Sequence, residues 1–147
     1  MKHQHYVAGF LFNKNLDRVA LILKLKPDWQ KGKWNAIGGK FEHSDKSLLA
    51  SMVREFEEET GLHVEDWTRF CSLSGFDKGE DSWTVHFFYA SDDSVEDVRI
   101  VEEELPSVFD VDELHEIGTL PNLSWLIPMA LHCMRDGYYY QSTENKL

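Results

Sequence analysis

Several things are scarce in this 147-residue chain, and each scarcity excludes something. There are two cysteines, Cys71 and Cys133, far apart and without CxxC spacing. That excludes a disulfide scaffold and a cysteine zinc ribbon, and leaves two reduced core thiols as the expectation. No stretch approaches the roughly 20 apolar residues that span a bilayer. The first apolar run, Tyr6–Phe12, is short and no small-residue cleavage pattern follows it, so it reads as a strand rather than a secretion signal, with the cytoplasm as default compartment. Basic residues are few, 15 against 26 acidic, for a net charge of −11. A surface of that sign repels nucleic-acid polymers and anionic membranes. It does not repel small phosphorylated ligands if carboxylates hold the divalent cations that phosphates need. Repeats and low-complexity tracts are absent as well.

What remains is globular. Hydrophobic residues make up 42% and aromatics 13%, enough for one core. Runs at Tyr6–Phe12 and Val19–Leu25 flank the turn residues Asn13-Lys14-Asn15-Leu16-Asp17, which predicts a hairpin. A polar loop, residues 26–33, precedes a short strand at Trp34–Ile37. A helix follows from about Ser47 to Thr60, with Gly61 as its C-cap. Strands are expected near Thr68–Phe76 and Trp83–Ala90, joined by a turn containing Gly75 and residues 77–81, and a short one at Val108–Phe109 with Val111. A last helix follows Pro121-Asn122, with Pro128 either kinking it or in its first turn. The polar Gln141–Leu147 is expected to fray. Strands followed by alternation with two helices predict one mixed α/β domain.

The helix near residue 50 carries the chemistry. At 100° per residue, Leu49, Met52, Val53 and Phe56 form an apolar stripe for burial on a sheet. Glu55, Glu58 and Glu59 share a neighbouring face, where like charges repel by a few tenths of a kcal/mol per pair. Two of them sit near the helix C-terminus, where the helix dipole disfavours negative charge. A solvated acidic face is one reading. A divalent cation, which turns the repulsion into coordination, is the other, and hard carboxylate oxygens suit Mg²⁺ or Mn²⁺. Gly38-Gly39 just upstream permit either positive φ or close approach of backbone to a ligand.

Arg54, Glu55, Glu58, Glu59, Gly61 and Leu62, with Phe56 at a bulky position, resemble the second half of the Nudix hydrolase signature, G-x5-E-x7-R-E-U-x-E-E-x-G-U. The box spans about residues 39–62 of a single domain covering 1–147. The resemblance implies an α/β/α sandwich around a central mixed β-sheet. It also implies hydrolysis of a nucleoside diphosphate linked to another group, with Mg²⁺, or Mn²⁺ in its place. Glu55, Glu58 and Glu59 would be the metal ligands, with Arg54, Glu55 and Glu58 in catalytic roles. Arg54 would orient a carboxylate through its planar fork, and Gly39 would lend a carbonyl or room. The first half of the box departs from the pattern. The sixth step from Gly39 is Asp45, and eight residues rather than seven separate it from Arg54. Counting back from Arg54 instead lands on Lys46. Asp45 is expected to brace the loop through a shifted backbone.

Members of the family often draw a further glutamate from a later loop. Glu104 is the first candidate here and Glu103 the second, with Asp92-Asp93 weaker. The run Lys33–Lys40 is similar to the strand before the box in enzymes that hydrolyse oxidised purine nucleoside triphosphates, which implies substrate contacts at Asn35, Gly38, Gly39 and Lys40. Asn35 either faces the base or caps backbone; Trp34 reads as core. Asn122 and Trp125 loosely resemble the segment that closes over the base, or else cap and pack the last helix. His3 and His5 read as exposed terminal polarity. Tyr138-Tyr139-Tyr140 offers either a subunit contact, compatible with a homodimer, or packing for the helix. The expected activity is pyrophosphohydrolysis of a nucleoside triphosphate. The alternatives are the same chemistry on ADP-ribose, a dinucleotide or a dinucleoside polyphosphate, and a non-catalytic nucleotide-sensing module.

Overall fold

A computed structural model describes residues 2–76 and 81–137 together with the backbone of 140–143. The central strands read as near-continuous apolar runs because both of their faces are buried. In strand β1 (His3–Phe12), Val7 and Leu11 point to one side and Phe10 and Phe12 to the other; in β2 (Arg18–Leu23), Ala20 and Ile22 oppose Val19 and Leu21. The hairpin turn between them is fastened by Asn13, whose Oδ1 accepts from the N–H groups of Asp17 and Arg18, both at 3.0 Å.

The remaining strands are β3 (Trp34–Asn35), β4 (Ile37–Lys40), β5 (Thr68–Phe76), β6 (Ser82–Ser91), β7 (Leu105–Asp110) and β8 (Tyr140–Thr143). They form a mixed sheet in the order β3-β2-β1-β6-β5-β8, with β4 paired to β1 and β7 to β2. β1 runs parallel to β6, and β8 parallel to β5; the other pairings are antiparallel. Helix α1 (Leu48–Thr60) covers one face and α2 (Leu123–Asp136) the other. Two cores result. One packs Val7, Leu11, Ile37 and Phe88 against Met52 and Phe56; the other packs Phe10, Phe12, Phe70 and Phe87 against Leu126, Ile127 and Ala130. The α/β/α sandwich expected from the sequence is the architecture observed. Cys71 and Cys133 are free and buried.

Several expectations change. The strand at Trp34–Ile37 is two strands: Asn35 pairs with β2, the next residues pair with β1, and the chain switches partner at Ala36. Leu49 is 43% exposed, and the buried face of α1 is Ser51, Met52, Glu55, Phe56 and Thr60. The helix is rolled toward its acidic side, so Glu55 rather than Leu49 goes under. Pro128 is the sixth residue of α2, beyond its first turn, and the helix continues through it. Val111 has left β7 and opens a short 3-10 turn, Val111–Glu116. Gln141–Thr143, expected to fray, pair along β5 from Ser72 to Ser74. The turn residues 77–80, Tyr138, Tyr139 and residues 144–147 lie outside the described residues.

The position of α1 is set from both ends and from below. Ser47 caps it, its Oγ accepting from Ala50 N–H at 3.0 Å. Gly61 closes it with φ +79° and donates to Glu57 O, a left-handed cap that suits glycine. Beneath it, a Cβ on Gly9 would lie 2.7 Å from Met52 Cε and 2.8 Å from the Trp67 ring. Gly9→Ala therefore overpacks this interface and is expected to cost about 1–3 kcal/mol in urea denaturation. An unchanged midpoint would show that α1 is not held this close.

Candidate active site

The two glycines before the helix are needed for closeness, not for unusual backbone angles. Neither has positive φ. A Cβ on Gly38 would collide with the Val7 carbonyl of the adjacent strand, and one on Gly39 would collide with the carboxyl group of Glu55, whose Cδ would lie 2.5 Å away. The backbone of β4 and the Glu55 side chain are thus in direct contact. Glu55 is 8% exposed; burial pushes its pKa up, and the neighbouring Arg54 charge opposes that.

Arg54 organises this corner. Its Nε and Nη2 donate to the two oxygens of Asp45, each at 2.8 Å. Its Nη1 reaches Glu55 Oε1 at 3.0 Å and Glu58 Oε2 at 3.1 Å, and Nη2 donates to Lys40 O at 3.2 Å. Asp45 also accepts from Glu42 N–H at 2.9 Å. The Arg54 guanidinium holds the Asp45 carboxyl down to about 2. The inserted residue therefore leaves Asp45 in reach, with both oxygens on the fork.

Glu59 is different. Its Oε2 is buried and has no hydrogen-bond partner. Burial raises its pKa to about 7, followed by the charges of Glu102 and Glu104. A buried, unpaired carboxylate oxygen among other carboxylates is costly unless a proton or a cation compensates it. A hard divalent cation suits that donor set. Among the described residues no group of three or more His, Cys, Asp or Glu is arranged to hold a metal ion. Glu55 and Glu58 both point to Arg54, because each is one short side-chain length from a fixed positive charge.

In the later loop, Glu103 is exposed. Glu104 is 8% exposed, with Oε1 2.9 Å from Lys24 Nζ and Oε2 accepting from Leu25 N–H at 2.7 Å. Asp92 caps the 3-10 turn Asp93–Asp97, and Asp93 accepts from Lys14 N–H.

On the α2 face of the sheet lies a cavity of about 400 Å³, within the usual size range of small-ligand sites. Asn35 and Asn122 both line it, together with Trp29, Gln30, Trp83 and Phe87. Asn35 caps backbone: Oδ1 accepts from Ala36 N–H at 2.8 Å, while Nδ2 donates to Gln30 Oε1 at 3.2 Å. Asn122 makes no side-chain cap to α2, and its Oδ1 is buried without a partner. Lys40 has an exposed side chain, and its contribution to this corner is its carbonyl. Trp125 is 44% exposed and lies outside the cavity lining; Trp34 packs edge-on against Phe109 at 4.7 Å between ring centroids. His3 and His5 are more than terminal polarity. His3 bonds Ser82 and Thr84, and His5 Nδ1 lies 3.0 Å from His86 Nε2.

Sequence reasoning missed Trp29, Gln30, Trp83 and Lys24. Trp83 had a usable signal, since it alternates with Val85 and Phe87 on one face of β6. Trp29 had another, as a lone large apolar residue in a polar loop.

The Asp45–Arg54 pair yields a stability prediction. A carboxyl lowered to about 2 in the fold stabilises the protein above its ordinary range near pH 4, and that stabilisation drains away as pH falls through 2. Asp45→Ala is expected to lower unfolding free energy at pH 7 by about 2–3 kcal/mol, with the gap to wild type narrowing below pH 4. Urea denaturation across pH measures it, and a gap that is constant in pH counts against the pair as its source.

The NUDIX domain family model matches residues 2–127. No curated protein sequence matches the chain. Among solved structures, the NUDIX domain of Shewanella oneidensis NrtR, complexed with ADP ribose, superposes with a TM-score of 0.78 at 16% identity, covering 91% of this chain and 90% of that one. MutT protein from Bacillus halodurans gives 0.67 at 23% identity, covering 97% and 90%. A MutT NUDIX hydrolase from Burkholderia pseudomallei gives 0.67 at 21%, covering 90% and 98%. With the family model spanning most of its length, this chain belongs to the NUDIX family.

Proposed function

We propose that this protein is a divalent-cation-dependent hydrolase of a phosphoanhydride bond in a nucleoside diphosphate linked to a further group. The preferred substrate in this reading is a nucleoside triphosphate, oxidised purines included, cleaved to the monophosphate and pyrophosphate. The observation that carries it is one short segment joining two unlike sites. Asn35 lines the cavity, and Gly39, four residues on, touches the Glu55 carboxyl. Extended chain covers at most about 14 Å in that distance, the scale of a single nucleotide.

Glu55, Glu58 and Glu59 are the residues that would hold Mg²⁺ or Mn²⁺, and the unpaired Oε2 of Glu59 is the observation that supports the fit. When bound, such an ion neutralises phosphate charge and lowers the pKa of coordinated water. The chain's own groups do the rest. Arg54, clamped by Asp45, fixes the directions of Glu55 and Glu58. The absence of a Cβ at Gly38 and Gly39 keeps β4 flat against its neighbours, so a phosphate chain can approach the backbone. Trp29 and Trp83 offer aromatic surface for a base. Asn122 Oδ1 offers an acceptor without a partner, suited to an N–H on a base edge. A net charge of −11 supports a small ligand rather than a nucleic-acid polymer.

A second reading is the same chemistry on ADP-ribose, a dinucleotide or a dinucleoside polyphosphate, favoured by the fold shared with the NrtR domain that was crystallised with ADP ribose. Nucleotide sensing without hydrolysis is the non-catalytic form of that reading.

A panel of nucleoside triphosphates, ADP-ribose, NADH and dinucleoside polyphosphates with Mg²⁺ or Mn²⁺ separates these. Pyrophosphate from triphosphates in preference to AMP from ADP-ribose supports the first. Glu58→Gln and Glu59→Gln are each expected to lower kcat about a thousandfold, roughly 4 kcal/mol of barrier. Turnover that survives both substitutions removes this mechanism. Asn122→Ala is expected to raise KM about tenfold with kcat changed little, corresponding to one lost hydrogen bond to the bound ligand. An unchanged KM removes Asn122 from the base site.

A further inference from the structure

Glu104 looks at first like a spare acid for the site, since it is buried near Glu59 and lies in the loop expected to supply one. Its surroundings say otherwise. Oε1 is 2.9 Å from Lys24 Nζ and Oε2 accepts from Leu25 N–H at 2.7 Å. Each oxygen thus already accepts from a donor of the Lys24-Leu25 segment, which anchors the carboxylate there, whereas a general base has to be aimed at its proton. Lys24 and Leu25 sit just past β2, where the chain enters the loop that carries Trp29 and Gln30 to the cavity. That loop is closed on Lys24 itself: Lys24 N–H donates to Lys33 O at 2.9 Å, and Gly32 N–H donates to Lys24 O at 2.8 Å. On the other side, Glu104 immediately precedes β7, whose Leu105 pairs with Leu23.

We infer that Glu104 is a positioning residue, a strut through Lys24 and the Leu25 amide that makes the cavity loop (residues 24–33) and the acidic loop (residues 98–104) move as one body. Occupation of the cavity by a base is thereby linked to the placement of the loop that ends at Glu104. This rests on the proposed hydrolysis for its catalytic consequence, but the coupling of the two loops stands without it. Burial pushes Glu104 upward in pKa, yet the Leu25 amide and the Lys24 ammonium outweigh it and hold the group below the ordinary carboxylate value, which suits a strut better than a proton carrier.

The test pairs kinetics with amide exchange. Glu104→Gln keeps one carbonyl oxygen as acceptor for the Leu25 N–H and loses the second acceptor that Lys24 uses. If Glu104 is a strut, this variant retains kcat within about threefold, with the pH profile of wild type; a proton-transferring carboxylate would lose about 10²–10⁴-fold together with one limb of the profile. In Glu104→Ala, hydrogen exchange followed by mass spectrometry is expected to speed up at least about tenfold in both 24–33 and 98–104, and KM to rise more than kcat falls. Lys24→Met, which keeps the Leu25 bond, should show the same double acceleration more weakly, and serves if the alanine variant does not fold. A thousandfold loss in Glu104→Gln, or acceleration confined to 98–104, overturns the inference. If wild type hydrolyses no nucleotide, the proposed function falls, while the exchange measurement still decides whether the loops are coupled.

Discussion

One guanidinium fixes the geometry on which the acidic site depends. Arg54 spends its donors on five oxygens: two from Asp45, one each from Glu55 and Glu58, and the Lys40 carbonyl. A planar fork can hold that many acceptors only in one orientation. The helix α1, the loop before it and the end of β4 are therefore tied at a single point. Around that point the sequence places carboxylates that would otherwise repel. Glu59, beyond the guanidinium's reach, keeps the unbalanced charge, and its orphaned oxygen marks where the fold leaves electrostatic work undone. A site that stores such an imbalance is ready for a cation, because the ion meets repulsion already assembled rather than having to gather it.

The sheet divides the labour. Residues of odd and even number along β1 and β6 face opposite layers, so these two strands present Tyr6, Ala8, Trp83, Val85 and Phe87 to the cavity and bring His3, His5, Thr84 and His86 together on the other side. The glycines of β4 stand between. This arrangement explains why bulk is tolerated at Trp29 and Trp83 but not at Gly38 or Gly39: the former line open volume, the latter lie against backbone and carboxylate.

Much of this was written locally. The acidic helix with its serine and glycine ends, the hairpin at Asn13 and the late helix all follow from periodicity and capping chemistry, which act over a few residues. Asn35 and Asn122 were singled out and do meet in one cavity. What was illegible depends on partners far away in sequence. Leu49 was expected inside, yet the roll of α1 is decided by Gly9 and Gly39 beneath it, which no helical wheel contains. The pairing of Tyr140–Thr143 depends on an open edge of β5, invisible in a polar tail. Glu104 was chosen over Glu102 on position alone, because nothing in three consecutive glutamates reveals that Lys24, eighty residues upstream, occupies the last of them.

The parallel pairing of β1 with β6 has a consequence for how the chain is made. Every residue from His3 to Phe12 finds its partner in the stretch from Ser82 to Ser91, 79 positions later. During synthesis the first hairpin leaves the ribosome with Phe10, Phe12 and Leu11 and one side of its backbone ladder uncovered until β6 follows. At about 5–20 residues per second that wait lasts several seconds, long compared with hairpin formation itself. The nascent chain must spend that interval as an unpaired edge, which makes it a natural client for chaperones that shield exposed strands.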